Sequence, residues 1–185
     1  DVGRAIGAKL AECDILLFLD GDIEIVAEAI IPFVQSIDRG LDIALNDITP
    51  YVGPFIRRDS VSVLKEFLNR SLDRDDLRMN SLTAVPFALS RHAVSVIGAS
   101  KLAVPPLAHT IAVKQGLRIG IGGSVDVVSR NKLRKNNIGL LNPVSRMIAG
   151  DHWEALHYAM KLEGSRLRFA DLIRDRSKLK EAGHP

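Results

Sequence analysis

Residues 15–22 read ILLFLDGD, a run of five apolar residues followed at once by two aspartates one residue apart. A short continuous apolar run predicts a strand that is buried on both faces of a sheet. Because open α/β sheets bind ligands beyond the carboxyl ends of their strands, Asp20 and Asp22 are expected at a ligand-binding position. Two carboxylates this close repel each other unless a cation intervenes, and Mg²⁺ prefers carboxylates together with phosphate oxygens. The stretch therefore predicts a site for a divalent cation.

Helical and strand patterns alternate along the chain, which favours an α/β fold with a mostly parallel sheet flanked by helices. Pro86 marks the third predicted strand as an edge strand or an irregular segment. The predicted helices cover residues 2–13, 25–38, 60–72, 91–97, 106–115, 143–162 and 168–181. The predicted strands cover residues 14–19, 41–45, 83–89, 117–121 and 125–128.

Composition limits the class of protein. The chain has 185 residues, 46% of them hydrophobic and 25% charged, which fits one ordinary globular domain. Its apolar stretches are too short to span a bilayer, and its opening residues lack the pattern of a signal peptide. The single cysteine, Cys13, excludes an intramolecular disulfide and fits a reducing compartment. We therefore expect a cytoplasmic protein.

The net charge is only +3, but residues 130–135 and 165–180 carry much of the basic surplus. Basic segments attract phosphates and anionic lipid headgroups, so a peripheral membrane contact is one expectation, although such segments are also ordinary solvated helix faces. A homodimer is a second expectation for the partners. No motif with interleaved aromatic residues accompanies the basic segments, so we expect no nucleic-acid partner.

Residues 3–11 (GRAIGAKLA), followed by residues 14–22 (DILLFLDGD), resemble family-2-type glycosyltransferases of the GT-A fold, in which a helix precedes a strand that ends in D-x-D. Residues 83–98 resemble the acceptor-side strand and helix of that family, and residues 107–119 resemble its next helix and G-x-R-I turn. The resemblance implies a nucleotide-diphospho-sugar donor, Mg²⁺ or Mn²⁺ held by Asp20 and Asp22, and a sugar, small-molecule or lipid acceptor. It makes residues 1–139 the C-terminal two-thirds of a GT-A domain with a Rossmann-like sheet, and residues 140–185 a helical extension.

The chain departs from the family in three places. The strand-helix-strand unit that grips the nucleotide base would precede Asp1, so we expect a fragment that binds a nucleotide-sugar poorly by itself. The acidic pair that serves inverting members is replaced by Val104-Pro105. Residues 125–131 (VDVVSRN) resemble the H-R-N stretch of the retaining glucosyl-3-phosphoglycerate synthase group, but Ser129 stands where that group has a metal-binding histidine. The stereochemistry of transfer stays open and leans toward retention.

Five further residues are candidates for the site. Arg130 could clamp a phosphate, with Asn131 hydrogen-bonding beside it. Asp47 ends the second predicted strand and could orient an acceptor hydroxyl or act as a base. His109 could serve as a metal ligand or proton carrier, and His152 could face the sugar from a helical lid. Each also has an ordinary structural explanation, such as a turn or a hydrogen bond within a helix.

Two other functions remain open. A haloacid-dehalogenase-type phosphatase also places Asp-x-Asp after an apolar strand, with the first aspartate as nucleophile. That class has Thr or Val-Leu after the second aspartate, whereas Ile23-Glu24 follows here. The second alternative is a non-catalytic interaction module in which the Asp-Gly-Asp segment is only a turn.

Overall fold

The computed structural model of the chain describes residues 1–129 and 143–169. These residues form a mixed α/β structure with four strands and six α-helices. The strands are β1 (Ile15–Phe18), β2 (Ile43–Asn46), β3 (Phe87–Ser90) and β4 (Ile119–Gly123). The helices are α1 (Val2–Leu10), α2 (Ala27–Asp38), α3 (Ser60–Ser71), α4 (Arg91–Ile97), α5 (Pro105–Lys114) and α6 (Pro143–Glu163). Short 3-10 turns lie at Thr49–Tyr51, Phe55–Arg57, Asp75–Leu77 and Ala99–Ala103.

The sheet is mixed, and the prediction of a mostly parallel sheet was wrong. Its strand order is β1-β3-β2-β4, with β3 antiparallel to both of its neighbours and β4 parallel to β2. Of the two alternatives predicted for residues 83–89, the edge strand was wrong, because β3 lies inside the sheet, whereas residues 83–86 do form an irregular segment before the strand. Pro86 precedes β3, so the missing N–H of that proline removes no hydrogen bond from the strand.

The connections between the strands explain the mixed directions. One helix, α2, connects β1 to β2, and these two strands run the same way. Two helices, α4 and α5, connect β3 to β4, so β4 starts at the end of the sheet where β3 stops. After α3, residues 72–86 return the chain to the end where β2 stops. Alternation of helix and strand signals in the sequence cannot distinguish parallel from antiparallel pairing. A parallel pair of strands needs a long crossover connection, but an antiparallel pair can be joined by a connection of any length.

Each face of the sheet has its own hydrophobic core, as the alternation of side chains along a strand requires. One core packs side chains of the sheet against α1, α4 and α5, and the other packs them against α2. The first core includes Leu16, Ile43, Leu45, Phe87, Leu89 and Ile119 from the strands. The second includes Ala44 and Ala88 from the strands and Phe33 and Ile37 from α2.

Glycines of β4 let the sheet approach α2 closely. A Cβ atom on Gly122 would lie 2.7 Å from the Cβ of Ala44 and 2.9 Å from Cδ1 of Phe33. A Cβ atom on Gly123 would lie 2.7 Å from Cε2 of Phe33. Phe33 is fully buried, so these two glycines serve packing. Residues 125–128, predicted as a further strand, do not form one.

Helix α6 matches the prediction for residues 143–162 and packs on α3 and α5. Its Ala155, Leu156 and Ala159 form a buried cluster with Leu68 and Leu72 at the end of α3. Of the helix predicted for residues 168–181, all but the first two residues lie outside the described residues, which end at residue 169. None of the described helices is both long enough and apolar enough to cross a bilayer.

Candidate functional site

Three strands bring acidic side chains to one end of the sheet. Because β1, β2 and β4 run in the same direction, their last residues lie at the same end. Asp20 and Asp22 follow β1, Asp47 follows β2, and Asp126 follows β4. We call these four residues the carboxylate end of the sheet. The predicted placement of Asp20 and Asp47 at one sheet end agrees with these strand directions, although β3 separates β1 from β2.

The Asp-Gly-Asp segment is an exposed turn at this end. All three of its residues are exposed, and the N–H of Ile23 lies 3.4 Å from the backbone oxygen of Asp20. The carboxylates of Asp20 and Asp22 are therefore accessible to a solute, as a metal site shared with a substrate requires.

Arg4 of α1 pairs through Nε with Oδ1 of Asp1 at 3.3 Å and lies within electrostatic range of Asp20. Its Nη1 donates to the carbonyl of Leu82 at 3.0 Å, and its guanidinium lies 5.5 Å from the centre of the Phe87 ring. Burial lowers the pKa of the Arg4 guanidinium, and the negative charge of Asp20 opposes that effect. The arginine stays charged, so a cation that is ion-paired with Asp1 also acts electrostatically on the first aspartate of the turn.

An open cleft of about 560 Å³ lies between α1 and β1 and ends at Asp20. Gly3, Gly7 and Ala11 line it from the helix. A Cβ atom on Gly3 or Gly7 would meet nothing within 4 Å. Among the described residues, β1 pairs only with β3, so the backbone of the other edge of β1 faces this cleft.

The described residues fit a hard cation bound together with a substrate. Within residues 1–129 and 143–169, no three His, Cys, Asp or Glu side chains are grouped to hold a metal by themselves. Mg²⁺ is commonly held by one or two carboxylates, with substrate phosphates and water completing its shell. Asp20 and Asp22 offer that smaller set.

Asp47 is ionised and firmly hydrogen-bonded. Its Oδ1 accepts from the N–H of Thr49 and from Nδ2 of Asn80, both at 3.0 Å. Partial burial acts to raise the pKa of Asp47, but these hydrogen bonds and the charge of Arg78 outweigh it and leave the pKa below its usual value. A carboxylate with a lowered pKa is a weak base. Asp47 is therefore better suited to hydrogen bonding with a ligand than to removing a proton.

Asn46, the last residue of β2, ties this end of the sheet together. It is 1% exposed. Its Nδ2 donates to the carbonyls of Val85 and Val125, at 3.1 and 3.0 Å, and its Oδ1 accepts from the N–H of Val125 at 2.8 Å. The amide thus fixes the chain after β4 and the chain before β3. The sequence did carry a signal for this role, because a polar residue that directly follows the buried apolar run of residues 43–45 must find hydrogen-bond partners inside the protein.

The two candidate histidines lie inside the structure. His109 is 0% exposed, and its Nε2 lies 2.8 Å from Oδ1 of Asn69. His152 is 1% exposed, and its Nδ1 donates to the carbonyl of Ile148 at 2.7 Å. A substrate at the carboxylate end cannot contact either ring without opening the packing of α5 and α6. The burial of the two rings therefore gives no support to the predicted catalytic role of His109 or to the predicted sugar contact of His152.

The segment after β4 is described as far as Ser129. Asp126 accepts hydrogen bonds from the N–H groups of Val128 and Ser129, at 3.1 and 3.0 Å, and from the Ser129 hydroxyl. Arg130 and Asn131, the predicted phosphate-binding residues, lie outside the described residues. Their roles stay predictions.

Comparison of the chain with models of known protein families, with curated proteins and with solved structures finds no match.

Proposed function

We propose that this chain belongs to a metal-dependent glycosyltransferase of GT-A type, which moves a sugar from a nucleotide-diphospho-sugar to an acceptor. The observation that carries the proposal is the exposed Asp20–Asp22 pair at the carboxyl end of β1, with the Arg4 guanidinium beside Asp20. Carboxylates for a cation and a guanidinium for an anion are the two groups that a metal diphosphate requires.

In this proposal Asp20 and Asp22 hold Mg²⁺ or Mn²⁺, which would offset charge on the departing diphosphate. Arg4 attracts the diphosphate oxygens from the side of α1, and its bond to Leu82 keeps it in place. Asp47 hydrogen-bonds an acceptor hydroxyl at the neighbouring strand end. The proposal assigns no base and leaves the stereochemistry open.

The edge of β1 that pairs with no strand of the described residues supports the same proposal. The resemblance implies a strand-helix-strand unit before Asp1 that grips the nucleotide base. A further strand could hydrogen-bond along β1 and pack under the small residues Gly3, Gly7 and Ala11 of α1. In this interpretation the cleft holds protein, and the donor binds at the end of the enlarged sheet, where α/β sheets place their ligands.

Calorimetric titration with Mn²⁺ and a panel of nucleoside diphosphates tests the proposal. We expect binding of the diphosphate to depend on the metal and to fall at least about tenfold in Asp20→Asn and in Asp22→Asn, since each change removes a charged ligand. Asp14→Asn is the matched control, because Asp14 is an exposed aspartate at the opposite end of β1.

The same titration on a version of the protein that extends upstream of Asp1 tests the base-binding part. Absence of metal-dependent binding in both versions would overturn the transferase and favour the interaction module. Phosphate release from a simple phosphomonoester, lost in Asp20→Asn and independent of any sugar donor, would instead identify the phosphatase.

A further inference from the structure

Helix α6 lies outside both hydrophobic cores of the sheet. Among the described residues, none of the buried members of those two cores belongs to α6. The buried apolar residues of α6, Ala155, Leu156 and Ala159, meet Leu68 and Leu72 instead. Two of these three are alanines, which have little apolar surface to remove from water. The helix can therefore leave its place without opening either core of the sheet.

Three side chains that can carry a positive charge are buried where α3, α5 and α6 pack together. Lys65 of α3 is 6% exposed, and His109 of α5 and His152 of α6 are both buried. One ring nitrogen of each histidine, Nδ1 of His109 and Nε2 of His152, is buried without a hydrogen-bond partner among the described residues. A proton added to either nitrogen would create a buried cation with no acceptor for its new N–H, which costs free energy.

Cations act on both rings from the neighbouring elements. The ammonium group of Lys65 acts on His152, and the guanidinium of Arg74, which follows α3, acts on His109. Burial and these charges lower the pKa of both histidines, so the rings resist protonation while α6 is in place. Burial also lowers the pKa of Lys65, but only to about 8, so Lys65 stays charged between pH 7 and pH 5 and adds no pH dependence in that range.

The carboxylates of α6 do not produce the same effect. Glu163 pairs with Lys114 of α5 at 2.6 Å and holds the C-terminal end of α6 in place. Burial and the charge of Glu154 raise the pKa of Asp151, so the docked helix takes up a proton at Asp151 more readily than a released one. Acid therefore favours docking through Asp151, and this residue opposes a release that the histidines cause.

We propose that mild acid releases α6 from α3 and α5 as one unit while the sheet stays folded. In the docked helix both imidazoles are neutral, whereas in the released helix they meet water and take up protons near pH 6.5. The released form therefore binds more protons than the docked form, and its population rises as the pH decreases. The release needs no sugar donor and no metal, so it stands or falls independently of the transferase.

Residue-resolved amide hydrogen exchange on the full chain at pH 7, 6 and 5, corrected for intrinsic exchange rates, tests the proposal. The inner strand β2, whose four residues are all buried, should exchange only on global unfolding. The amides of α6 should be less protected than those of β2, and their protection should fall at least about tenfold from pH 7 to pH 5. Equal protection of α6 and β2 at every pH would overturn the proposal, as would α6 protection that does not change with pH.

The variant His152→Gln tests the histidine of α6 itself. Glutamine keeps an N–H donor but does not titrate, so the fall in α6 protection between pH 7 and pH 5 should shrink at least about threefold. His157→Gln is the matched control, because His157 is exposed on the same helix, and its fall should equal that of the native chain. Equal falls in all three proteins would contradict the proposal. If His152→Gln does not fold, the comparison of α6 with β2 in the native chain still decides.

Discussion

Nε2 of His109 lies 2.8 Å from Oδ1 of Asn69, deep between α5 and α3. The Nδ2 of Asn69 donates to the carbonyls of Arg78 and Asn80, both at 2.9 Å, so its Oδ1 is left as an acceptor. His109 must therefore donate from Nε2, and its buried Nδ1 has no hydrogen-bond partner among the described residues. The carbonyl of Ile148 likewise requires a proton on Nδ1 of His152. Both rings are held neutral.

These rings make the protein sensitive to mild acid. Burial, together with the charge of Arg74 and the proximity of His152, lowers the pKa of His109 to about 3, and burial also lowers the pKa of His152. An unfolded histidine takes up its proton near pH 6.5, whereas the folded His109 does not. Stability is therefore complete above about pH 6.5, and His109 lowers it by about 1.4 kcal/mol per pH unit as the pH decreases below that value.

Urea unfolding between pH 6.5 and 5, above the range of the carboxylates, measures this loss. His109→Gln keeps a donor for Asn69 and removes the titrating group. The slope of its free energy of unfolding against pH should therefore correspond to about one proton fewer taken up on unfolding than in the native chain. An unchanged slope in His109→Gln would show that His109 is not responsible.

Asn46→Asp tests the tie between β2, β3 and β4. The change keeps the shape but removes both donations to Val85 and Val125, and it places a carboxylate against their carbonyl oxygens. We expect a loss of about 2–4 kcal/mol in the free energy of unfolding, larger at pH 8 than at pH 5 because the carboxyl group ionises. Gln35→Glu, the same chemical change at an exposed position, should stay within about 0.5 kcal/mol of the native chain.

Gly122→Ala tests the close approach of β4 to α2. The added methyl group meets Ala44 and the buried Phe33 at under 3 Å, so we expect overpacking to lower the free energy of unfolding by about 1–3 kcal/mol. Gly150→Ala is the control, since it lies in α6 with nothing within 4 Å of the new Cβ atom, and it should raise stability by about 0.5–1 kcal/mol. Thermal melts of both variants decide, and a neutral Gly122→Ala would mean that Phe33 can move aside.

Arg4→Met tests the cation beside Asp20 and rests on the proposed function. Loss of the guanidinium should weaken metal-dependent binding of a nucleoside diphosphate about tenfold, because a charge-assisted contact is removed. Lys9→Met removes an exposed charge from the same helix and should change the affinity little. Equal affinities in the two variants, with both proteins folded by circular dichroism, would limit Arg4 to its structural contacts with Leu82 and Asp1.

Most of the local elements followed from the sequence, but residues 125–128 formed no strand and the arrangement of the elements was not predicted. The apolar run before Asp20 marked β1, and the range predicted for α4 is the one observed, because Ser90 caps it and Gly98 follows it at a positive φ. Strand direction depends on how many helices lie between strands and where they pack, which local periodicity does not record. The burial of His109 was open to inference, since α5 carries apolar or small residues almost all round and such helices are buried.

The place of β3 between β1 and β2 has a consequence for folding. Ile15 pairs with Ser90 and Ile43 with Leu89, so no hydrogen bond of the sheet joins β1 to β2 directly. In a nascent chain that has not yet been synthesised as far as Phe87, β1 and β2 are present but β3, with which both of them pair, is missing. The sheet therefore cannot begin to assemble from the N-terminal part of the chain. Because these pairings between distant residues require large loops to close first, they slow folding. The ordering of β1 and that of β2 are then coupled, since both depend on the late arrival of β3. Segments far apart in the chain therefore become ordered together when β3 arrives.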